Sequence, residues 1–131
     1  RLNEKSVEIL KKSGLNFENY KSSLISQCNN FPLEFLFLRD DDIPEYVQDG
    51  IADIGICGEN VIMEKAVKVS YLQKLGFGKC SLKIAIPNDS QIKKQNDLNG
   101  KSIATTYPVI LQKYLDGNKI KASIIRISGS V

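Results

Sequence analysis

The sequence predicts an α/β protein, and three observations predict it. Short apolar runs of strand length fall near residues 33–38, 52–58, 81–87, 102–106 and 122–128, and helical spacings separate several of them. Helix starts and stops are marked by the residues that favour them, with Pro44 and Pro108 near starts and Gly14, Gly50 and Gly117 at ends. Residues 102–128 read strand, helix, strand, a βαβ unit whose crossover is expected to be right-handed.

Taken in order, residues 2–13 place Leu2, Val7, Ile9 and Leu10 among charged neighbours and meet Gly14, an amphipathic helix with a glycine stop. Residues 15–30 are polar and weakly patterned, and Asn29, Asn30 and Pro32 mark loop or edge strand. In residues 33–38 only Glu34 interrupts the apolar side chains, the pattern of a strand covered on both faces inside a sheet. Asp40, Asp41 and Asp42 stand before Ile43 and Pro44, with Gly50 beyond, and predict a short helix with capping carboxylates. Residues 52–58 read as a second buried strand, in which Gly55 and Gly58 let another backbone or a ligand approach closely.

Glu59 opens the next helix, to about Lys65. Residues 67–75 alternate imperfectly and offer a further strand. Residues 81–87 offer a stronger one, with Leu82, Ile84 and Ile86 on one face and Ala85 on the other. The polar stretch 88–99 is the candidate crossing between two lobes, which divides the chain into a first α/β lobe, 1–87, and the start of a second, 88–131. Beyond it come a short strand, 102–106, and a helix from Pro108 to Gly117 with Ile110, Leu111, Tyr114 and Leu115 at helical spacing. Residues 122–128 supply the last strand.

Composition narrows the function classes. With 42% hydrophobic and 25% charged residues the chain is ordinary for a globular domain, and no apolar run approaches the roughly 20 residues that span a bilayer. The first dozen residues lack the apolar centre of a secretory signal, so nothing addresses the chain for export. Cys28, Cys57 and Cys80 are odd in number and widely spaced, unlike a disulfide framework or a zinc site, and point to reduced thiols in the cytoplasm. Histidine is absent, which excludes chemistry that needs imidazole. A net charge of +3 with scattered lysines gives no support to nucleic-acid binding.

Two strand ends in the βαβ unit break into small or polar turns: Thr105, Thr106 and Tyr107 before Pro108, and Ser128, Gly129 and Ser130. Both lie outside the carboxyl ends of strands, where open α/β sheets bind ligands. Backbone N–H groups at a helix start, with hydroxyls beside them, suit an anion such as phosphate. Plain helix caps and turns account for the same residues. The run Asp40 to Asp42 suits magnesium or, more simply, helix capping with Arg39 as charge partner. Gly76, Phe77 and Gly78 form a flexible turn that is weak as a phosphate cradle. Cys80 has no histidine to activate it and reads as a buried or half-buried structural thiol rather than a nucleophile.

Five blocks in order carry more. FLFLRDDDIP from Phe35 to Pro44 leads to Asp49 and Gly50 and then to ADIGICGEN from Ala52 to Asn60. LGFGKCSL follows from Leu75 to Leu82, LNGKSIATTYP from Leu98 to Pro108, and SGSV from Ser128 to Val131. In order and spacing these blocks resemble the catalytic subunit of ATP phosphoribosyltransferase, and they cover nearly the whole chain.

The resemblance implies the first step of histidine biosynthesis. Members join N1 of the ATP adenine to the anomeric carbon of phosphoribosyl pyrophosphate and release pyrophosphate, with Mg2+ as cofactor. It implies a periplasmic-binding-protein-like (type II) two-lobed fold, incomplete in this chain, with the substrates ATP and phosphoribosyl pyrophosphate between the lobes. Arg1 and Leu2 match the end of a Lys-Gly-Arg-Leu-like motif whose arginine lies near the nucleotide. Glu59, Cys80 and Tyr107 fall in blocks that face the cleft, and Thr105, Thr106, Pro108, Ser128, Gly129 and Ser130 are placed to meet phosphate or ribose oxygens. It implies a cytoplasmic protein, either a homo-oligomer (hexamer) in the long form or a hetero-oligomer with a separate regulatory subunit in the short form.

Positioning and electrostatic stabilisation should dominate such a reaction, so the lack of histidine raises no objection. The family's strand before the arginine and its acidic, Thr-Gly-rich loop fall outside these residues, so the 131 residues alone are not expected to be a competent enzyme. The competing expectation is a non-enzymatic small-molecule binding domain built on the same bilobal fold.

Overall fold

A computed structural model describes residues 2–18 and 23–128, which gather into two compact units, Arg1–Lys79 and Cys80–Val131. Among the described residues the elements mix helices with short strands, as an α/β reading requires.

In the first unit, helix α1 spans Leu2–Lys12, with Glu4 in its first turn and Lys11 and Lys12 in its last, each sign complementing the helix dipole. Glu8 and Lys12 pair at 2.5 Å one turn apart, and that bond holds the Glu8 carboxyl below its usual range. Gly14, at φ 91°, ends the helix in the left-handed conformation that glycine adopts most easily. Strand β1, Ile25–Gln27, pairs antiparallel with β2, Glu34–Leu36, in the register Ile25 to Leu36 and Gln27 to Glu34. Phe17 bridges to Cys28 beside this ladder and is buried against the Phe35 ring at a centroid distance of 4.0 Å.

The expectation of a doubly covered strand over 33–38 needs correction. Only 34–36 is strand, β1 is its one partner among the described residues, and its side chains are exposed or half-buried. A two-stranded ribbon has no inner strand to enclose.

Helix α2, Ile43–Gln48, has Pro44 in its first turn, fully buried, and Gly50 at φ 72° just past its end. Asp42 occupies the N-cap with helical dihedrals, φ −90° and ψ −27°, and its carboxylate makes no capping bond. The expected capping carboxylate is therefore not realised, because capping geometry requires an extended residue there. The Ile51 and Ala52 N–H groups both donate to the Tyr46 carbonyl, at 2.9 and 3.1 Å, and fold the chain back onto α2.

That reversal explains why residues 52–58 are not a strand. A Cβ built on Gly55 would lie 2.6 Å from Ile43 Cγ2 and 2.9 Å from Val47 Cγ2. The close approach anticipated at Gly55 exists, but the side chains of α2 make it, not a second backbone or a ligand. Helix α3, Glu59–Lys65, follows as the sequence predicts, and is tied to α2 by Lys65 Nζ on Glu45 Oε1 at 2.9 Å and by the Lys68 N–H donating to Gln48 Oε1 at 2.9 Å. Residues 67–75 form no strand, since a strand exists through its ladder and this stretch has no partner among the described residues.

In the second unit the βαβ reading holds. Strand β3, Ser102–Thr105, and strand β4, Ser123–Arg126, run parallel with Ser102 opposite Ser123 and Thr105 opposite Arg126, and α4, Pro108–Gly117, connects them. Leu111 and Leu115 of α4 join Leu98 and Ile120 in a buried cluster, against which Ile103, Tyr114 and Ile124 pack. The 3-10 turn Gln95–Leu98 is fixed by Asp97, whose carboxylate accepts the N–H groups of Lys93 and Lys94 at 2.8 and 3.1 Å and is thereby held below its usual range.

Residues 81–87, expected as a strand, are not one. Leu82, Ile84 and Ile86 are 51%, 37% and 43% exposed, and no described strand supplies a ladder for them.

Candidate substrate-binding site

The second unit carries a concave surface of about 940 Å³ whose walls are residues 82–87, the 92–95 segment, β3 and the inner face of α4. Its lining is largely apolar, including Ile92, Leu98, Ile103 and Leu111, and includes the two aromatic residues Tyr107 and Tyr114. Thr105, the last residue of β3, also lines it. Four lysines, Lys83, Lys93, Lys94 and Lys101, line it, and no acidic residue does.

Thr105 and Tyr107 are brought together by the β3-to-α4 turn: the Tyr107 N–H donates to Thr105 Oγ1 at 2.9 Å. The Ile127 N–H donates to the Thr105 carbonyl at 3.0 Å, so the ends of β3 and β4 are neighbours and exposed Ser128 lies one residue beyond that bond. The turn after β3 and Ser128, the described residue of the second turn, therefore lie at one edge of one sheet. The N–H groups at the start of α4 are not as open as a phosphate cradle requires. Tyr107 is the N-cap with its own N–H occupied, and Pro108 after it has no N–H. Thr106 and Pro108 complete the turn, Thr106 exposed and Pro108 in the first helical position.

The remaining candidates lie elsewhere. Glu59 heads α3 in the first unit, exposed, 3.6 Å from Lys74 in a surface ion pair of small energetic weight. Cys80 is exposed rather than buried or half-buried, because the stretch it opens has no sheet to shelter it, and it does not line the concave surface. Arg1, Gly129 and Ser130 lie outside the described residues. Among the described residues Arg39 makes no ion pair with Asp40 to Asp42; the Asp41 and Asp42 charges instead help to hold the Lys65 ammonium above its usual range, behind the Glu45 bond that contributes most. No group of three or more metal-binding side chains assembles among the described residues.

Sequence reasoning passed over the lysines because it judged charge over the whole chain. Residues 80–131 hold eight Lys and Arg against three Asp, whereas residues 1–79 hold ten against twelve acidic residues. A count by unit would have drawn attention to the second unit.

Cys57, half-buried, is the thiol whose environment is most altered: burial pushes it up, and the Asp40 charge adds to the effect. Alkylation of Cys57 is expected to reach half its maximal rate at a higher pH than an ordinary thiol, and Asp40→Asn to move that midpoint down. Site-resolved mass spectrometry of iodoacetamide labelling across pH tests this; an ordinary midpoint in the unaltered chain would show that neither cause acts.

Comparison with known proteins gives the lineage. The family model for ATP phosphoribosyltransferase (HisG) matches residues 39–131. The chain belongs to the ATP phosphoribosyltransferase family. The ATP phosphoribosyltransferase of Cytophaga hutchinsonii is 53% identical over 131 residues, covering 100% of this chain and 46% of its own length. That of Bacteroides thetaiotaomicron is 47% identical over the same span, again 46% of its length. Among solved structures, the ATP phosphoribosyl transferase (HisG:HisZ) complex from Thermotoga maritima matches at a TM-score of 0.67 and 29% identity, covering 100% of this chain and 62% of that one. The chain thus spans about half the length of the curated family members it matches. No described helix is long and apolar enough to cross a membrane.

Proposed function

We propose that the chain is the nucleotide-facing part of an ATP phosphoribosyltransferase acting in the first step of histidine biosynthesis, in the cytoplasm. The observation that supports this most is the family match over residues 39–131 together with 53% identity to a curated member along the whole chain. The same similarity favours a transferase over a binding-only domain of the same architecture. The larger architecture in this proposal is the periplasmic-binding-protein-like (type II) fold, with 1–87 belonging to a first lobe and 88–131 to a second.

In the reaction, adenine N1 supplies an electron pair to the anomeric carbon of phosphoribosyl pyrophosphate, the bond from that carbon to the pyrophosphate oxygen breaks, and pyrophosphate leaves with the bonding pair. The chain's part is to hold the nucleotide. Tyr107, half-buried at the head of α4, offers a ring for the adenine, and the turn at Thr105, Thr106 and Pro108 with Ser128 beside it offers hydroxyls to phosphate or ribose oxygens. Arg1, Glu59, Cys80, Gly129 and Ser130 remain proposed contacts on the strength of family position.

The described side chains build no cage for Mg2+, and an ion that binds mainly through substrate phosphates needs none. When bound, Mg2+ would neutralise phosphate charge. The assembly proposed for the parent protein is a homo-oligomer (hexamer) or a hetero-oligomer with a regulatory subunit, the latter supported by the HisG:HisZ complex of the Thermotoga maritima relative.

Calorimetric titration of ATP into the chain, and separately of phosphoribosyl pyrophosphate with Mg2+, tests the reading. Saturable ATP binding is expected, and Tyr107→Ala is expected to weaken it about tenfold or more, the scale of one aromatic stacking contact. Unchanged affinity would remove Tyr107 from the site, and a folded chain that ignores ATP would remove the nucleotide-holding role.

A further inference from the structure

We infer that Lys83, Lys93, Lys94 and Lys101 form a phosphate-binding rim around the concave surface of the second unit, and that this surface takes an adenine nucleotide with its base on the Tyr107 and Tyr114 side. The inference rests on the nucleotide-binding reading above and extends it to residues that the sequence did not single out.

Three observations carry it. The volume of about 940 Å³ lies within the range of small-molecule sites, and the walls combine apolar and aromatic groups with a few charged ones, as such sites do. Second, all four charged residues lining the surface are lysines, exposed and in no ion pair with a carboxylate among the described residues, although the Asp97 charge acts through space on Lys94 and Lys101. The Asp97 carboxylate is itself engaged by the backbone N–H groups of Lys93 and Lys94.

Third, the start of α4 is a poor anion cradle by itself, since the Tyr107 N–H is taken by Thr105 Oγ1 and Pro108 has no N–H to offer. A ligand carrying several phosphate charges needs positive charge from another source, and the rim supplies it within the same unit. An apolar, aromatic floor edged by cations is complementary to a molecule with a flat ring at one end and a chain of anions at the other. Inorganic phosphate alone would engage only the rim, and an uncharged nucleoside only the floor.

The test compares ATP with adenosine on the full 131-residue chain, by calorimetry, for the unaltered protein and for Lys83→Ala with Lys101→Ala. These side chains are exposed, so the fold should be retained, and circular dichroism checks it. The double variant is expected to weaken ATP binding at least about tenfold, the loss of charge-assisted contacts, while adenosine affinity changes less than about twofold. Lys119→Ala with Lys121→Ala, on the turn before β4, should leave both affinities unchanged.

Equal ATP affinity in the double variant and the unaltered chain would overturn the rim. So would a parallel loss of ATP and adenosine binding, because a phosphate-directed charge cannot act on adenosine. If Tyr107→Ala abolishes ATP binding while the lysine variant does not, the rim alone falls and the nucleotide-holding reading stands. If the unaltered chain binds no ATP, both fall together.

Discussion

Leu115→Ala is expected to lower the stability of the second unit by about 2–5 kcal/mol. Leu115 is 0% exposed and belongs to the buried cluster with Leu98, Leu111 and Ile120, so truncation removes buried methyl groups and leaves a cavity. The unit spans only residues 80–131 and among the described residues draws its buried core from four side chains, which gives it few others to close the gap. A loss of that size is a large part of a small domain's total stability. Hydrogen exchange of the α4 amides reports it directly, since α4 is fastened to the sheet through Leu111 and Leu115. Ile125→Ala, at a half-exposed position on β4, should change stability by about 0.5 kcal/mol or less. Equal effects at the two positions would mean that the cluster does not hold the unit together.

The same cluster shows what was legible in the sequence. Ile110, Leu111, Tyr114 and Leu115 announce α4 by spacing, and Pro108 and Gly117 mark its ends to the residue. The parallel pairing of β3 with β4 followed from the strand, helix, strand order, because one crossover helix leaves little other arrangement. Local rules sufficed wherever an element is defined by its own residues, as in α1, α2 and α3. They failed where an element depends on a partner. Residues 81–87 alternate as a strand should, yet alternation specifies a face and not a ladder, and no described strand pairs with them. Residues 52–58 failed for a different reason. Gly50 and the two N–H groups donated to Tyr46 turn the chain onto α2, a turn chemistry that outweighs the apolar run.

The candidate site was legible in its turns and not in its walls. Thr105, Tyr107 and Ser128 stand out as small and polar residues after strand-like runs, and the structure places them at one sheet edge. Lys83, Lys93 and Lys94 are distant in sequence from α4 and join Lys101, just before β3, on one surface only because the 82–95 segment lines it too. Spacing cannot report a convergence of that kind, and only the unit-by-unit charge balance hints at it.

Phe17 lies in the stretch that the sequence presents as weakly patterned and polar, and it is nonetheless the most buried large side chain of the first unit, at 1% exposure. Phe17→Ala is expected to destabilise that unit by about 3–5 kcal/mol. Three contacts explain why one ring matters so much. It stacks on Phe35 of β2 at 4.0 Å between centroids with the planes tilted by 30°, and Lys11 Nζ sits 5.5 Å from its centre. Its backbone bridges to Cys28, so it fastens the segment after α1 to the β1–β2 ribbon. Beside it the Asn29 N–H donates to the Asn16 carbonyl at 2.7 Å, and Asn30 links the Asn16 N–H to the Gly14 carbonyl through its side-chain amide. These bonds align the two segments, and the ring supplies the apolar burial that holds them. Phe17→Leu keeps most of the buried area and loses the aromatic pair, worth about 0.5–1.5 kcal/mol, so it should fall well short of the alanine variant. Chemical denaturation of the three proteins orders them. If Phe17→Leu matched Phe17→Ala, the stacking geometry rather than burial would control the unit, and a loss below about 1 kcal/mol for alanine would mean that Phe17 does not anchor the ribbon.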